Sequence, residues 1–402
     1  MDTLDSPRGW RVVGGTHAVI AVSFGSAYAF SPLFPSLATE FGAPRGQIAL
    51  VFSLAAFTYY VMGAVAGPLG DRWPTRRLVA AGLIAMIVGS VGASQAGSLA
   101  VLYAWYGIGV GLGIGLAYVP AIGAVQSWFE RRRSQASGVA TAGIGIGTLI
   151  LPFAVGQAVP VIGWRSCLIG LAAVIAVIGL PAALIIRKRV VPSTWKTAGA
   201  HDALTPSAAW RDGKFRRFYA VLLLGSFCTF IPYVHIVPAA RDLGLSIEAG
   251  TVLIGLIGIG NVFGRFVLAG LGDRIGRTRL LAVLTLAVAA SFVFWAMATF
   301  SPMAGGFVML AIFAALFGMS YGGCVGLYPA VAADLFGTKS IGSVLGYLYT
   351  AVGVAALIGP PLAGYIFDIT GSYLGPIIAS AIAAACAGWL TFGLRRSAPQ
   401  DS

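Results

Sequence analysis

Apolar residues fill most of this chain in long unbroken runs, and short polar stretches divide one run from the next. The runs fall at roughly 12–38, 46–69, 78–97, 99–127, 135–161, 163–187, 217–240, 247–271, 279–299, 303–335, 340–367 and 372–394. Each reaches or exceeds the ~20 residues that a helix needs to cross ~30 Å of hydrocarbon. The short alternating segments of a membrane β-barrel are missing. Lipid offers no partner to backbone N–H and C=O groups, so runs of this length must close their own hydrogen bonds as helices. The pattern predicts an all-α integral membrane protein with twelve transmembrane helices.

Composition points the same way: with 58% hydrophobic and 10% charged residues among 402, the chain has too little polar surface for a water-soluble protein of its size. The net charge of +13 would suit a nucleic-acid partner, but the basic residues sort by loop. With the N-terminus inside, Arg72, Arg76, Arg77, Arg131, Arg132, Arg133, Arg187, Lys188, Arg274, Arg277, Arg279 and others fall on one side, and only Arg45, Arg165 and Arg241 on the other. That asymmetry sets orientation, places both termini in the cytoplasm, and removes the case for nucleic acid. The expected location is the cell (inner) membrane, with the lipid bilayer as the partner. The first eleven residues are hydrophilic and the next run is too long for a signal-peptide core, so no cleaved leader is expected. Cys167, Cys228, Cys324 and Cys386 stand singly in different runs without metal-ligand spacing, so no metal or other cofactor is expected.

The second run ends in Gly67-Pro68-Leu69-Gly70-Asp71-Arg72-Trp73-Pro74-Thr75-Arg76-Arg77, and the eighth in Gly270-Leu271-Gly272-Asp273-Arg274-Ile275-Gly276-Arg277. Asp71 and Asp273 are 202 positions apart, half the chain, which reads as a duplicated six-helix unit. The expected organisation is an N-terminal bundle over 1–187, a cytoplasmic linker over 188–215 and a C-terminal bundle over 216–402. This repeated Gly-x-Leu-x-Asp-Arg-x-Gly-Arg pattern resembles the major facilitator superfamily; the first copy departs from it with Pro74 in place of Gly. The resemblance implies two pseudo-symmetric bundles and a cytoplasmic gate at Asp71, Arg72, Asp273 and Arg274. A second stretch, Trp128-Phe129-Glu130-Arg131-Arg132-Arg133 followed by alternating Ala and Gly, resembles a signature of the monocarboxylate transporter family. Small residues at that spacing also let helices approach closely.

The chemistry is expected around Arg265 in the eighth run, the one Lys, Arg, Asp or Glu well inside any run. Eight residues before Asp273, it lies roughly 12 Å into the membrane along its helix. A guanidinium in hydrocarbon is costly, so it should face a polar cavity and meet an anion there. The runs supply no buried carboxylate, which leaves the cargo as counter-ion. Arginine suits that task, since its planar fork holds a carboxylate through two hydrogen bonds and stays charged. Asn261, one turn away on the same face, points into the same space. In mammalian monocarboxylate transporters the residue four before this arginine is an Asp implicated in proton coupling; an amide cannot titrate, so anion binding is kept and that coupling route is not.

Tyr118, Tyr321 and Tyr28 lie in runs 4, 10 and 1, which line the cavity in the superfamily, and are further substrate-binding candidates. His17 and His235 are the intramembrane imidazoles able to carry a proton. One fixed positive charge should prefer one negative charge; related oxalate–formate exchangers add a Lys in the eleventh helix, where this chain has only Lys339 at the edge. The reading is a secondary transporter of small monocarboxylates resembling lactate and pyruvate, proton-coupled, working as a monomer by alternating access. Alternatives are a dicarboxylate or organic-anion exchanger, or a drug or sugar carrier. A membrane enzyme would need clustered ionisable groups that no run supplies.

Overall fold

The computed structural model describes residues 4–129, 132–188, 210–301, 304–336 and 341–394 of the chain. Eleven described stretches are long and apolar enough to span a membrane. The longest, Ala136–Ile185, is two crossings: Gly163 (φ 76°, ψ 162°) breaks it, in a backbone region that only glycine enters freely. A Cβ on Gly15, near the start of the chain, would lie 2.9 Å from the carbonyl oxygen of Ala182, and Gly143 packs against His17 of the same turn. Trp164, by contrast, meets Phe41 at the other end of the first helix. The chain therefore rises from Gly143 and returns by Ala182, and twelve crossings result.

The crossings are α1 (Pro7–Phe41), α2 (Arg45–Arg72), α3 (Thr75–Ser94), α4 (Leu99–Trp128), α5 (136–162) and α6 (164–185) in one bundle. The other holds α7 (Gly213–Asp242), α8 (247–275), α9 (Arg277–Ala298), α10 (Ala304–Phe336), α11 (Ile341–Thr370) and α12 (Leu374–Phe392). Most of the expected linker, 189–209, falls outside the described residues. Large apolar side chains such as Val161, Val177, Phe300 and Trp389 are exposed around the outside, as a lipid-facing belt requires. Lipid removes the hydrophobic drive between helices, so close backbone approach takes its place. The bundles meet where α2 lies on α11 and α5 on α8. A Cβ on Gly258 of α8 would sit 2.9 Å from the Gly145 carbonyl oxygen of α5, and one on Gly46 of α2 3.0 Å from that of Pro361.

Two helices are broken at matching depth. In α1 the break is at Ala29, between Pro7–Tyr28 and Phe30–Phe41, and in α7 it lies at Cys228 and Thr229, between Gly213–Phe227 and Phe230–Asp242. Pro32 and Pro232 explain both, since each lacks the N–H that would bond the carbonyl four residues earlier. Around and beyond the breaks, every residue of 22–34 and of 228–240 is buried, whereas the earlier turns of α1 and α7 leave Gly14 exposed and His17, Tyr219 and Leu223 partly exposed. Ser31 Oγ of α1 donates to the Val234 carbonyl of α7 at 3.1 Å, tying the two bundles there. The molecule is thus sealed at the far end, away from the chain start, and open towards the near end.

Candidate functional site

Glycines bring α8 against α10. A Cβ on Gly260 would stand 2.8 Å from both the Ala315 oxygen and the Met319 nitrogen, and one on Gly264 2.7 Å from the Gly323 nitrogen. Directly after this contact, Gly264–Leu268 winds as a π-helical turn, a distortion that concentrates at functional sites. Arg265 is the second residue of that turn. Its side chain is half-buried, with Nη1 donating to the Thr141 carbonyl of α5 at a long 3.4 Å. Its Nε is buried without a partner, and no carboxylate among the described residues pairs with it. The guanidinium therefore keeps donor capacity that the described protein does not fill.

Five phenols share its electrostatic surroundings. The hydroxyls of Tyr28, Tyr118, Tyr233, Tyr321 and Tyr349 all lie within electrostatic reach of the Arg265 guanidinium. They come from α1, α4, α7, α10 and α11, so both bundles contribute. Tyr28 stacks on Tyr233 at 4.2 Å between centroids, and Phe24 meets Tyr118 edge-on at 5.2 Å. Tyr118, Tyr321 and Tyr349 are partly exposed although they sit at the centre of the protein, so they line an open space. Asn261 is buried and keeps its Oδ1 without a partner. The structure thus gathers Arg265, Asn261, Tyr118, Tyr321 and Tyr28 in one place. Sequence reasoning missed Tyr233, although Pro232 beside it loosens its helix much as Pro120 does near Tyr118.

The other candidates lie elsewhere. His17 Nδ1 meets the Val139 carbonyl at 2.7 Å, in the near half of α1. His235 is fully buried in the far half of α7: its Nε2 is 2.8 Å from the Pro360 carbonyl and its Nδ1 2.9 Å from the Tyr373 hydroxyl. A carbonyl only accepts, so Nε2 carries the proton and Nδ1 accepts from Tyr373. Arg45 completes the chain by donating to Tyr373 Oη at 2.9 Å while gripping Asp242. Asp368 accepts from the Arg45 and Gly46 backbone N–H groups at 2.8 and 3.0 Å, capping α2 from α11. Glu40 forms a second far-end cluster with Arg165 and Trp164. Asp71 and Arg72 close α2, and Asp273 and Arg274 end α8; the side chains of Asp71, Arg72 and Asp273 lie outside what is described, and Arg274 is exposed. Among the described residues no group of three metal-ligating side chains converges.

Twelve crossings in two six-helix bundles define a multi-pass membrane protein. The model of the Major Facilitator Superfamily matches residues 16–327 and 262–402, and the chain belongs to that family. It is 28% identical to monocarboxylate transporter 11 of Homo sapiens over 98% of this chain and 84% of the relative. Monocarboxylate transporter 13 of Bos taurus is 27% identical over 99% and 93%. Among solved structures, a bacterial homologue of the human lysosomal transporter Spinster, inward-facing and unoccupied, superposes with a TM-score of 0.73 at 16% identity, covering 98% of this chain and all of that one. At that identity the likeness is one of fold.

Proposed function

We propose that this protein is a secondary transporter of small monocarboxylates, of the size and charge of lactate and pyruvate, and that it moves them with protons across the cell (inner) membrane by alternating access. The observation that carries the reading is Arg265: a guanidinium with a free, buried Nε and no carboxylate among the described residues paired with it. A desolvated cation without a counter-ion is stabilised by an anion that arrives with the substrate, and a monoanion leaves the loaded site neutral. The phenols suit such a ligand, since each offers a hydroxyl to a carboxylate and an apolar face to its carbon chain. The similarity to monocarboxylate transporters over nearly the full chain supports the same substrate class. Both termini are cytoplasmic in this reading, so the open near end faces the cytosol.

The test is counterflow of labelled lactate and pyruvate into proteoliposomes holding the purified chain, with and without an imposed proton gradient. Uptake by the wild type and its loss in Arg265→Gln, with the variant still eluting as a folded monomer, is the expected result. Unchanged uptake by Arg265→Gln removes the site; indifference to the gradient removes the coupling.

A further inference from the structure

Seven buried polar atoms in the described structure lack a partner: Thr16 Oγ1, Ser23 Oγ, Ser26 Oγ, Ser53 Oγ, Tyr59 Oη, Asn261 Oδ1 and Arg265 Nε. They differ in what they can accommodate. The five hydroxyls donate or accept as they rotate, so they discriminate little between ligands. Arg265 Nε can only donate and Asn261 Oδ1 can only accept. These two one-way groups lie four residues apart on α8, where β-carbons on one face are about 5–6 Å apart. The Asn261 amide oxygen stands buried without a partner, free for a group that donates. A small ligand that satisfies both must carry an acceptor anion and, next to it, a hydrogen-bond donor.

We infer that the site selects 2-hydroxy monocarboxylates over their 2-oxo counterparts, with Asn261 Oδ1 accepting from the substrate hydroxyl while Arg265 holds the carboxylate. The inference rests on the proposed monocarboxylate function and narrows it. A 2-hydroxy acid places O–H on the carbon bonded to the carboxylate, so one molecule bridges the two groups. A 2-oxo acid of the same size and charge presents a carbonyl instead. Acceptor then faces acceptor, and a buried amide oxygen stays unsatisfied, which costs more than a bond is worth when made. Charge and bulk are matched between the two acids, so the single hydrogen bond decides. Its worth sets the expected preference at roughly tenfold in kcat/KM.

The experiment compares labelled lactate and pyruvate in the same proteoliposomes, for the wild type and for Asn261→Leu, which keeps the bulk and removes the acceptor. The expected result is a wild-type preference for lactate of several-fold or more that falls to near unity in the variant. Equal uptake, or a preference for pyruvate, by the wild type overturns the inference and leaves the monocarboxylate reading standing. Retention of the lactate preference by Asn261→Leu also overturns it. Uptake of neither acid by the wild type overturns both. The wild-type ratio needs no variant, so a poorly folding Asn261→Leu does not block the test.

Discussion

Arg45, at the start of α2, lays its guanidinium on the carboxylate of Asp242, at the end of α7, with Nη1 and Nη2 each 2.7 Å from one oxygen. The residues belong to different bundles and are 197 positions apart. The same guanidinium stacks 3.8 Å from the Phe367 ring of α11 and donates to Tyr373 beside α12. The far end is held shut by contacts of this kind, which must separate if a substrate is to enter there. The pair is partly exposed, so its own contribution is about 1 kcal/mol. A contact of that strength separates at little cost.

Arg45→Ala should therefore shift the population towards far-end opening without unfolding the protein. A cysteine placed at Ser31, buried between α1 and α7, reports it. Labelling of that cysteine from the far side, in a background without the native cysteines, should speed up several-fold when Arg45 is removed. An unchanged rate means that the apolar packing of α1 on α7 holds the seal alone.

Asn261→Asp should make uptake much more dependent on acid pH. An ionised carboxylate one turn from Arg265 becomes its counter-ion and competes with the cargo, and protonation removes that competitor. Uptake by the variant should fall at least tenfold at neutral pH and recover on acidification. A pH profile identical to that of the wild type would show that the two side chains do not share a space.

Gly264→Ala should abolish uptake and lower the melting temperature, because the new methyl would meet the backbone of Met319 and Gly323 and drive α8 from α10. Gly270→Ala on the same helix meets nothing within 4 Å and should be neutral. Thermal unfolding in detergent together with counterflow separates the two. Equal behaviour of the two variants would argue that the α8–α10 contact does not position Arg265.

Gly163→Ala has space for its methyl, with nothing within 4 Å, but not the backbone freedom (φ 76°, ψ 162°). The strain should cost about 1–3 kcal/mol of stability and leave substrate selectivity alone. A melting temperature equal to the wild type's would show that the α5–α6 bend relaxes at no cost.

Much of this architecture is legible in the sequence because membrane folding is governed by long one-dimensional signals. Twelve runs, the break at residue 162, and one charge stranded in the eighth run all follow from hydropathy, and all reappear in three dimensions. Arg265 stands out because an unpaired guanidinium in hydrocarbon is costly enough to be rare. The far-end cluster is not legible in the same way. Arg45 reads only as one of three basic residues on the sparse side, since Asp242, Asp368 and Tyr373 are brought to it by the docking of one bundle on the other. The π-helical turn at Gly264–Leu268 leaves no hydropathy trace. His235 shows the same limit: the sequence gives an imidazole near a helix end, and only the packing of α7 against α11 and α12 occupies both ring nitrogens.

The prolines at positions 32 and 232 give each bundle an elbow at one shared level, just past Tyr28 in one arm and Cys228 in the other. A rod without a joint would have to tip as a whole and drag its lipid-facing side along. With joints, the upper arms are free to lean apart while the lower turns stay packed on α5 and α11, and the stacked pair Tyr28 and Tyr233 bridges the two arms beside the elbows.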